Sequence, residues 1–346
     1  MPDPIADAPA APRVQTHPWH DTRHHRPGGG FVNPWPVVRP DDEAIPGGAQ
    51  RARFLAEFFL GSKEQTPAPV ERPDPAALAA PVPDGTARVT WLGHTTCLVQ
   101  FPSLTVLTDP VWARRVGPLG LAGPKRAVPP PLALDALPPI HVVVQSHNHY
   151  DHLDPAALRA LHARHAPRFL VPLGVDQHLP EGAAALALDW GQSVDLRGLR
   201  FHCAPARHFS GRTLRDRNVT LWASWFLKPL AEDAPTVFFA GDTAHSPHFR
   251  QVRERLGAPD LVLMPIGAYR PRWMMRPVHV DPPEAVQAFE DLGAGTLLAT
   301  HWGTYDLAEE PLDEPPRRLR EEAERRGVAD RLRILPAGGM LRMPVE

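Results

Sequence analysis

The segment His141–His152, HVVVQSHNHYDH, constrains this chain more than any other. HVVVQS is a continuous apolar run of the kind that forms a strand buried on both faces. It runs directly into H-x-H-x-D-H. Asp154 and Pro155 then supply an N-cap and a first-turn proline, which start a helix over DPAALRALHARHA. In extended backbone, residues two apart point the same way. His147, His149 and Asp151 therefore converge, and the turn into the helix brings His152 round. Imidazole and carboxylate are ligands for Zn²⁺, Fe²⁺ or Mn²⁺. A solvated polar turn is the bland alternative, but four ligand-type residues within six positions, straight after a buried strand, weigh against it.

Three later segments repeat the form of an apolar strand ending in a ligand. They are FHCAPARH to His208, TVFFAGD to Asp242 and TLLATH to His301. Ligands at strand ends gather on the rim of a sheet, where active sites of layered folds sit. ARVTWLGHTTCLVQF reads as two strands around a turn at Gly93-His94, and LTVLTDP as a third. FLVPL, LRFHCAPA, TLWASWFL and DLVLMPIG read as further strands. Helical signals recur at Phe249–Leu256 and at Pro282–Leu292, the latter capped by Asp281. Strands at short spacing with few helices between predict an α/β fold with two β-sheets sandwiched between helices. The expected organisation is a mobile N-terminal tail over 1–30, an extension packed on the body over 31–85, and the main domain over 86–346. Within the extension, RARFLAEFFL (Arg51–Leu60) has helical apolar spacing, and GGGFVNPWP is expected to dock on the body.

Composition removes several alternatives. Of 346 residues, 37 are basic and 39 acidic, so nothing favours a nucleic-acid partner. The three lysines, Lys63, Lys125 and Lys228, follow no glycine, so there is no G-K-[ST] phosphate loop. None lies two residues after a histidine, and no histidine precedes a glutamate. The H-x-K and H-E-x-x-H motifs are therefore absent. Two cysteines exclude a Cys-rich zinc module but leave one Cys97–Cys203 bridge open. No apolar run approaches the ~18 residues of a membrane span. The opening MPDPIADAPAAPRVQ lacks the basic and apolar regions of a secretory signal. The expectation is a cytoplasmic enzyme, peripheral at a membrane at most.

FVNPWP, TWLGHTT, LTDPVW, GPKR, LPPI, SHNHYDHLD, VPLG, FAGDT, PIGAYRPRWMM, HVDPPEA and HWGTY occur in this order. From about Phe31 to Asp306 the chain resembles the N-acyl-phosphatidylethanolamine-hydrolysing phospholipase D family of the metallo-β-lactamase fold superfamily. The resemblance implies two zinc ions per chain. His147, His149 and His208 would hold one, Asp151, His152 and His301 the other, and Asp242 would bridge them. The ligand set by itself also admits Fe²⁺ or Mn²⁺. The implied reaction is hydrolysis of an N-acylated phospholipid or related phosphodiester by a hydroxide shared between the metals, with Asp151, Asp242 and His279 as the catalytic residues. His279 would contact a phosphoryl oxygen or the leaving group. His94 and Asp109 also match family positions and read either as groups that orient a metal ligand or, the favoured reading, as structural; Tyr150 is expected to be a pocket wall, and Trp91, Trp222, Trp225 and Trp302 core. The stretch Arg270–Val278 combines Trp273, Met274, Met275 and three arginines, and reads either as a lipid-facing edge or as a buried loop wall. A lactonase or other ester hydrolase is the alternative activity, a nuclease is disfavoured, and homo-oligomerisation is left open.

Overall fold

A computed structural model describes residues 12–37, 47–49 and 66–345. The expected helix at Arg51–Leu60 lies outside the described residues. One sheet has eight strands, in the order β1 (Val14–Thr16), β8 (Gln192–Leu196), β9 (Leu199–Ala204), β10 (Ser224–Pro229), β11 (Val237–Phe239), β12 (Leu261–Pro265), β13 (Thr296–Thr300) and β14 (Leu332–Arg333). The other has seven, in the order β15 (Met340–Met343), β2 (Ala87–Trp91), β3 (Cys97–Gln100), β4 (Thr105–Thr108), β5 (Val142–Val144), β6 (Arg168–Pro172) and β7 (Ala185–Leu188). This is the αββα sandwich of the metallo-β-lactamase fold.

The period-2 alternation of strands sorts side chains between the layers. Val106, Val142, Val144 and Leu170 join Cys203, Trp225 and Phe239, which share one face of the other sheet, in one core. Their neighbours Leu107, Val143, Phe169 and Val171 pack instead with Leu158 and Leu161 of the helix Pro155–His165. Each such side chain stabilises the fold by about 1.5–3 kcal/mol when fully buried. On the far side of the eight-stranded sheet, the helix Pro282–Leu292 packs against β12, the helix His248–Leu256 and the helix Glu314–Arg326. Trp91, Trp222, Trp225 and Trp302 are all buried, as expected of core residues. Cys97 and Cys203 are buried free thiols.

The strand directions position the site. β4 to β7 run parallel, as do β11 to β14. Parallel strands deliver their C-terminal ends to one edge of a sheet, where ligand-binding residues collect in layered folds.

The structure departs from expectation at the N-terminus. Residues 12–30 belong to the stretch expected to be mobile, yet β1 pairs antiparallel with β8 and Trp19 packs against the core. Proline and polar residues dominate this segment, and its few aromatic anchors carry no periodic signal.

Candidate metal centre

Each ligand-type side chain lies just past the end of a strand. His147 to His152 follow β5, His208 follows β9, Asp242 follows β11 and His301 follows β13. The H-x-H-x-D-H segment alternates as extended backbone should. Asn148 points away and accepts from the Gly211 amide at 2.8 Å, while the Tyr150 hydroxyl donates to the Arg212 carbonyl at 2.8 Å. The amides of His152 and Leu153 turn back onto the His149 carbonyl at 3.2 and 2.9 Å. That turn brings His152 to the same side as its neighbours. Asp154 caps the following helix by accepting from the Ala156 and Ala157 amides.

Two clusters result. His147 Nε2 lies 2.7 Å from His149 Nδ1, which lies 3.2 Å from His208 Nε2. In the second, His152 Nε2 and His301 Nε2 lie 3.5 and 3.7 Å from Asp151 Oδ2. Asp242 sits between them: its Oδ2 is 3.0 Å from His152 Nε2 and 3.7 Å from His208 Nε2, and its Oδ1 is 3.2 Å from His301 Nε2. His279 Nδ1 is 3.9 Å from Asp242 Oδ2.

These atoms fit a cation better than they fit one another. His152 Nε2, His301 Nε2, His279 Nδ1 and Asp242 Oδ1 are buried without an aligned hydrogen-bond partner. An unsatisfied buried polar group costs about 1–3 kcal/mol. In three of the clustered imidazoles the other ring nitrogen is engaged: His147 Nδ1 with Ser146 Oγ at 2.9 Å, His152 Nδ1 with Asp109 Oδ2 at 2.7 Å and His208 Nδ1 with the Val278 carbonyl at 2.8 Å, whereas both nitrogens of His301 lack an aligned hydrogen-bond partner. Fixing one ring nitrogen orients the other for coordination.

The electrostatics divide along the same line. Burial, together with the neighbouring imidazoles, pushes His149 down to about 3 and His147 well below the usual histidine range. Burial also takes His208 down to about 4. Burial opposes charge on His301 as well, but Asp242 and Asp151 outweigh it and raise His301 to about 9. The same carboxylates hold His152 well above its ordinary value against burial. Asp242 stays well below the carboxylate range because His152 and His301 outweigh its burial.

His94 and Asp109, read as structural or as groups that orient a ligand, both touch the centre. His94 Nε2 is 3.0 Å from Asp151 Oδ2, and Asp109 accepts from the Ser146 and Gln145 side chains as well as from His152. His94, Asp109 and His301 all adopt positive φ, at 52°, 32° and 58°. Such strain in non-glycine residues, about 1–3 kcal/mol each, collects at functional sites. Gly241 precedes Asp242 at φ +61°, and a Cβ there would lie 2.6 Å from that of Ser146. Ser146 was not singled out by sequence, although it directly precedes the motif. Asn33, whose amide donates to the His208 carbonyl at 2.8 Å, was visible only inside FVNPWP.

The Arg270–Val278 stretch is half-buried. Arg270 pairs with Glu314 at 2.8 Å, and Arg272 and Arg276 pair with Glu284 at 2.7 and 3.1 Å. These guanidiniums are held by the body of the protein, which favours the loop-wall reading over the lipid-facing edge. No helix among the described residues is long and apolar enough to cross a membrane.

Residues 105–302 match the family model described as a beta-lactamase superfamily domain. The chain belongs to the metallo-β-lactamase superfamily, with the fold of a metal-dependent hydrolase. Within it, the chain is 38% identical over 246 residues to the N-acyl-phosphatidylethanolamine-hydrolyzing phospholipase D 1 of Caenorhabditis elegans, covering 67% of this chain and 68% of that protein. An uncharacterised protein of Mycobacterium tuberculosis is 46% identical over 244 residues, covering 68% of this chain. That match spans 64% of the mycobacterial protein, just under two-thirds. Among solved structures, a possible metal-dependent hydrolase from Veillonella parvula superposes with a TM-score of 0.61 at 17% identity, over 74% of this chain and 99% of the other. That likeness concerns the fold.

Proposed function

We propose that the chain is a binuclear metal phosphodiesterase of the phospholipase D type, acting on N-acyl-phosphatidylethanolamine or a related phosphodiester. The observation that carries the reading is the pair of adjoining His/Asp clusters with Asp242 between them. The likeness to the Caenorhabditis elegans enzyme supports the substrate class. His147, His149 and His208 would hold one cation and Asp151, His152 and His301 a second, with Asp242 placed between the two groups. Zinc suits this donor set, as do Fe²⁺ and Mn²⁺. When bound, such a pair supplies Lewis acidity at the phosphoryl oxygens and lowers the pKa of water.

The chain's own groups do the positioning. Asp242 and Asp151 remain ionised against burial because imidazoles surround them. Burial holds His279 well below its ordinary value despite Asp242, so it is a neutral imidazole at neutral pH. It therefore serves as a hydrogen-bonding group toward a phosphoryl oxygen rather than as a stored proton.

Two loops bracket Tyr150, one residue before Asp151. Tyr150 packs against the cluster of Val111, Val116 and Tyr305, and the Arg212 guanidinium lies 4.0 Å over its ring. These loops carry Leu119, Leu121 and Leu214, which are 91%, 79% and fully exposed. Arg114, Lys125, Arg215 and Arg217 are exposed beside them. Exposed leucines among basic residues suit an anionic lipid surface, and these loops take the lipid-facing role that was one of the two readings of Arg270–Val278.

The test is hydrolysis of N-acyl-phosphatidylethanolamine vesicles, a soluble chromogenic phosphodiester and a lactone panel. Both phosphodiesters are expected to be cleaved. Turnover of lactones alone would replace this reading with the ester-hydrolase alternative. Leu119→Ser with Leu214→Ser is expected to raise the apparent KM for vesicles while kcat on the soluble substrate stays near wild type, as lost uniform binding requires.

Metal uptake carries its own pH signature. His301, at about 9, and His152, raised well above its ordinary value, are protonated at neutral pH in the metal-free protein. Those protons must leave before either ring can ligate. Apparent affinity should therefore fall as pH falls below about 9, at least about tenfold per unit from His301 alone. Competition with a chromophoric zinc chelator between pH 6 and 9 measures it, and a flat profile would contradict the assignment of His301.

A further inference from the structure

We propose that His24, His25 and Asp189, with His20 beside them, form a separate divalent-metal site that clamps the N-terminal segment onto the edge of the eight-stranded sheet. Asp189 lies in the turn between β7 and β8 and is buried. His24 Nε2 lies 2.6 Å from its Oδ1, and the Nε2 atoms of His25 and His20 lie 2.8 and 3.0 Å from its Oδ2. The ligand atoms of His24, His25 and Asp189 all lie within 4.8 Å of one another.

This convergence is not what sequence neighbours do by default. Adjacent residues in extended backbone point to opposite sides. Here a turn closed by the His25 amide on the Thr22 carbonyl, at 2.8 Å, brings both rings to one carboxylate. The rings are also fixed from outside. His24, 2% exposed, stacks on Trp190 with centroids 4.2 Å apart, and His25 packs edge-on against Phe31 at 5.1 Å. Packing that locks ligand rotamers is what a metal site requires of its surroundings. Two or three imidazoles with one carboxylate form the donor set of zinc and other borderline divalent ions.

Beyond His25 the same segment braces the His208 loop. Asn33 donates to the His208 carbonyl at 2.8 Å, and Arg207 donates to the carbonyls of Trp35 and Pro36 at 3.2 and 2.8 Å. A cation at Asp189 would fix the near end of that brace.

The experiment is equilibrium titration of the metal-stripped full chain with Co²⁺ and Zn²⁺, followed by cobalt absorption and elemental analysis. One background is His149→Ala with His301→Ala, which removes ligands of the proposed catalytic centre. One equivalent should remain there, and adding His24→Gln or Asp189→Asn should weaken it at least about 100-fold, beyond the 10–100-fold effect of an outer partner. In the wild-type background the half-exposed His25→Gln should remove one equivalent while the protein stays folded by circular dichroism. Trypsin should cut after the exposed Arg23 and Arg26 more slowly when zinc is added. A folded His149→Ala/His301→Ala protein that binds no cation would reduce the cluster to a hydrogen-bonded clasp. Cobalt binding that is unchanged by both Asp189→Asn and His25→Gln would place the ion away from these residues. Either result overturns the proposal without touching the phosphodiesterase reading.

Discussion

Asp242→Asn is expected to lower turnover on a soluble phosphodiester by at least about 10²-fold and to leave the protein depleted of both cations. Its two oxygens face four imidazole nitrogens, those of His152, His208, His301 and His279, at 3.0, 3.7, 3.2 and 3.9 Å. An amide keeps the shape but turns one oxygen into a donor group and removes the charge. Among the described residues no other carboxylate forms ion pairs with imidazoles of both clusters, so the loss reaches both cations. The carboxylate also raises His301 and His152. In the variant those imidazoles should lose much of their hold on a proton, and proton release on metal addition near pH 7 should shrink accordingly. Isothermal titration in two buffers of different ionisation enthalpy measures that release, and elemental analysis gives the stoichiometry. Near-wild-type turnover with both metals retained would remove Asp242 from the bridging role.

The main features of the centre were legible because they depend on local pattern. A buried strand, a ligand-type side chain at every second residue and a capped helix occupy the stretch from Val142 to His165 without a break. The strands behind His208, Asp242 and His301 are likewise apolar runs that end at the ligand. What escaped depends on pairing across the chain or on weak patterns. β1 is three exposed residues, VQT, with no alternation to read, and its place is fixed by β8 nearly two hundred positions away. The apolar residues that the helix Glu314–Arg326 buries are Pro315, Pro316, Leu319 and Ala323 within a charged run, so its helical period is faint. β7 and β8 are short strands whose partners, β6 and β9, define them better than their own residues do. The His24–Asp189 contact joins residues 165 positions apart, and no spacing rule connects them. His94 and Asp109 were visible as residues, but their contact with the centre follows from left-handed backbone at each, which residue type alone does not announce.

Asp109→Ala should have the largest effect on stability. Its carboxylate is fully buried and accepts from the Ser146 amide at 2.7 Å, the Ser146 hydroxyl at 2.5 Å, the Gln145 amide at 2.9 Å and His152 Nδ1 at 2.7 Å. Alanine strands these donors in a dry interior, and breaking a buried ionic pair from one side costs about 3–5 kcal/mol. The urea midpoint should fall accordingly, to the point of poor soluble yield. Asp109→Asn separates that structural effect from the chemical one. Its carbonyl oxygen can still serve the Ser146 and Gln145 amides, so most of the stability should survive. Its amide group, however, now faces His152 Nδ1 with a donor. The imidazole can meet it only by accepting there, which moves the ring proton to Nε2, the atom aimed at Asp242. A nitrogen that carries a proton cannot coordinate. The folded Asn variant should therefore bind the cation of the Asp151 cluster about 10–100-fold more weakly while keeping the His147 cluster intact. Equal losses at both clusters, or a metal affinity that follows only the urea midpoint, would mean that Asp109 acts through packing and leaves the tautomer of His152 alone.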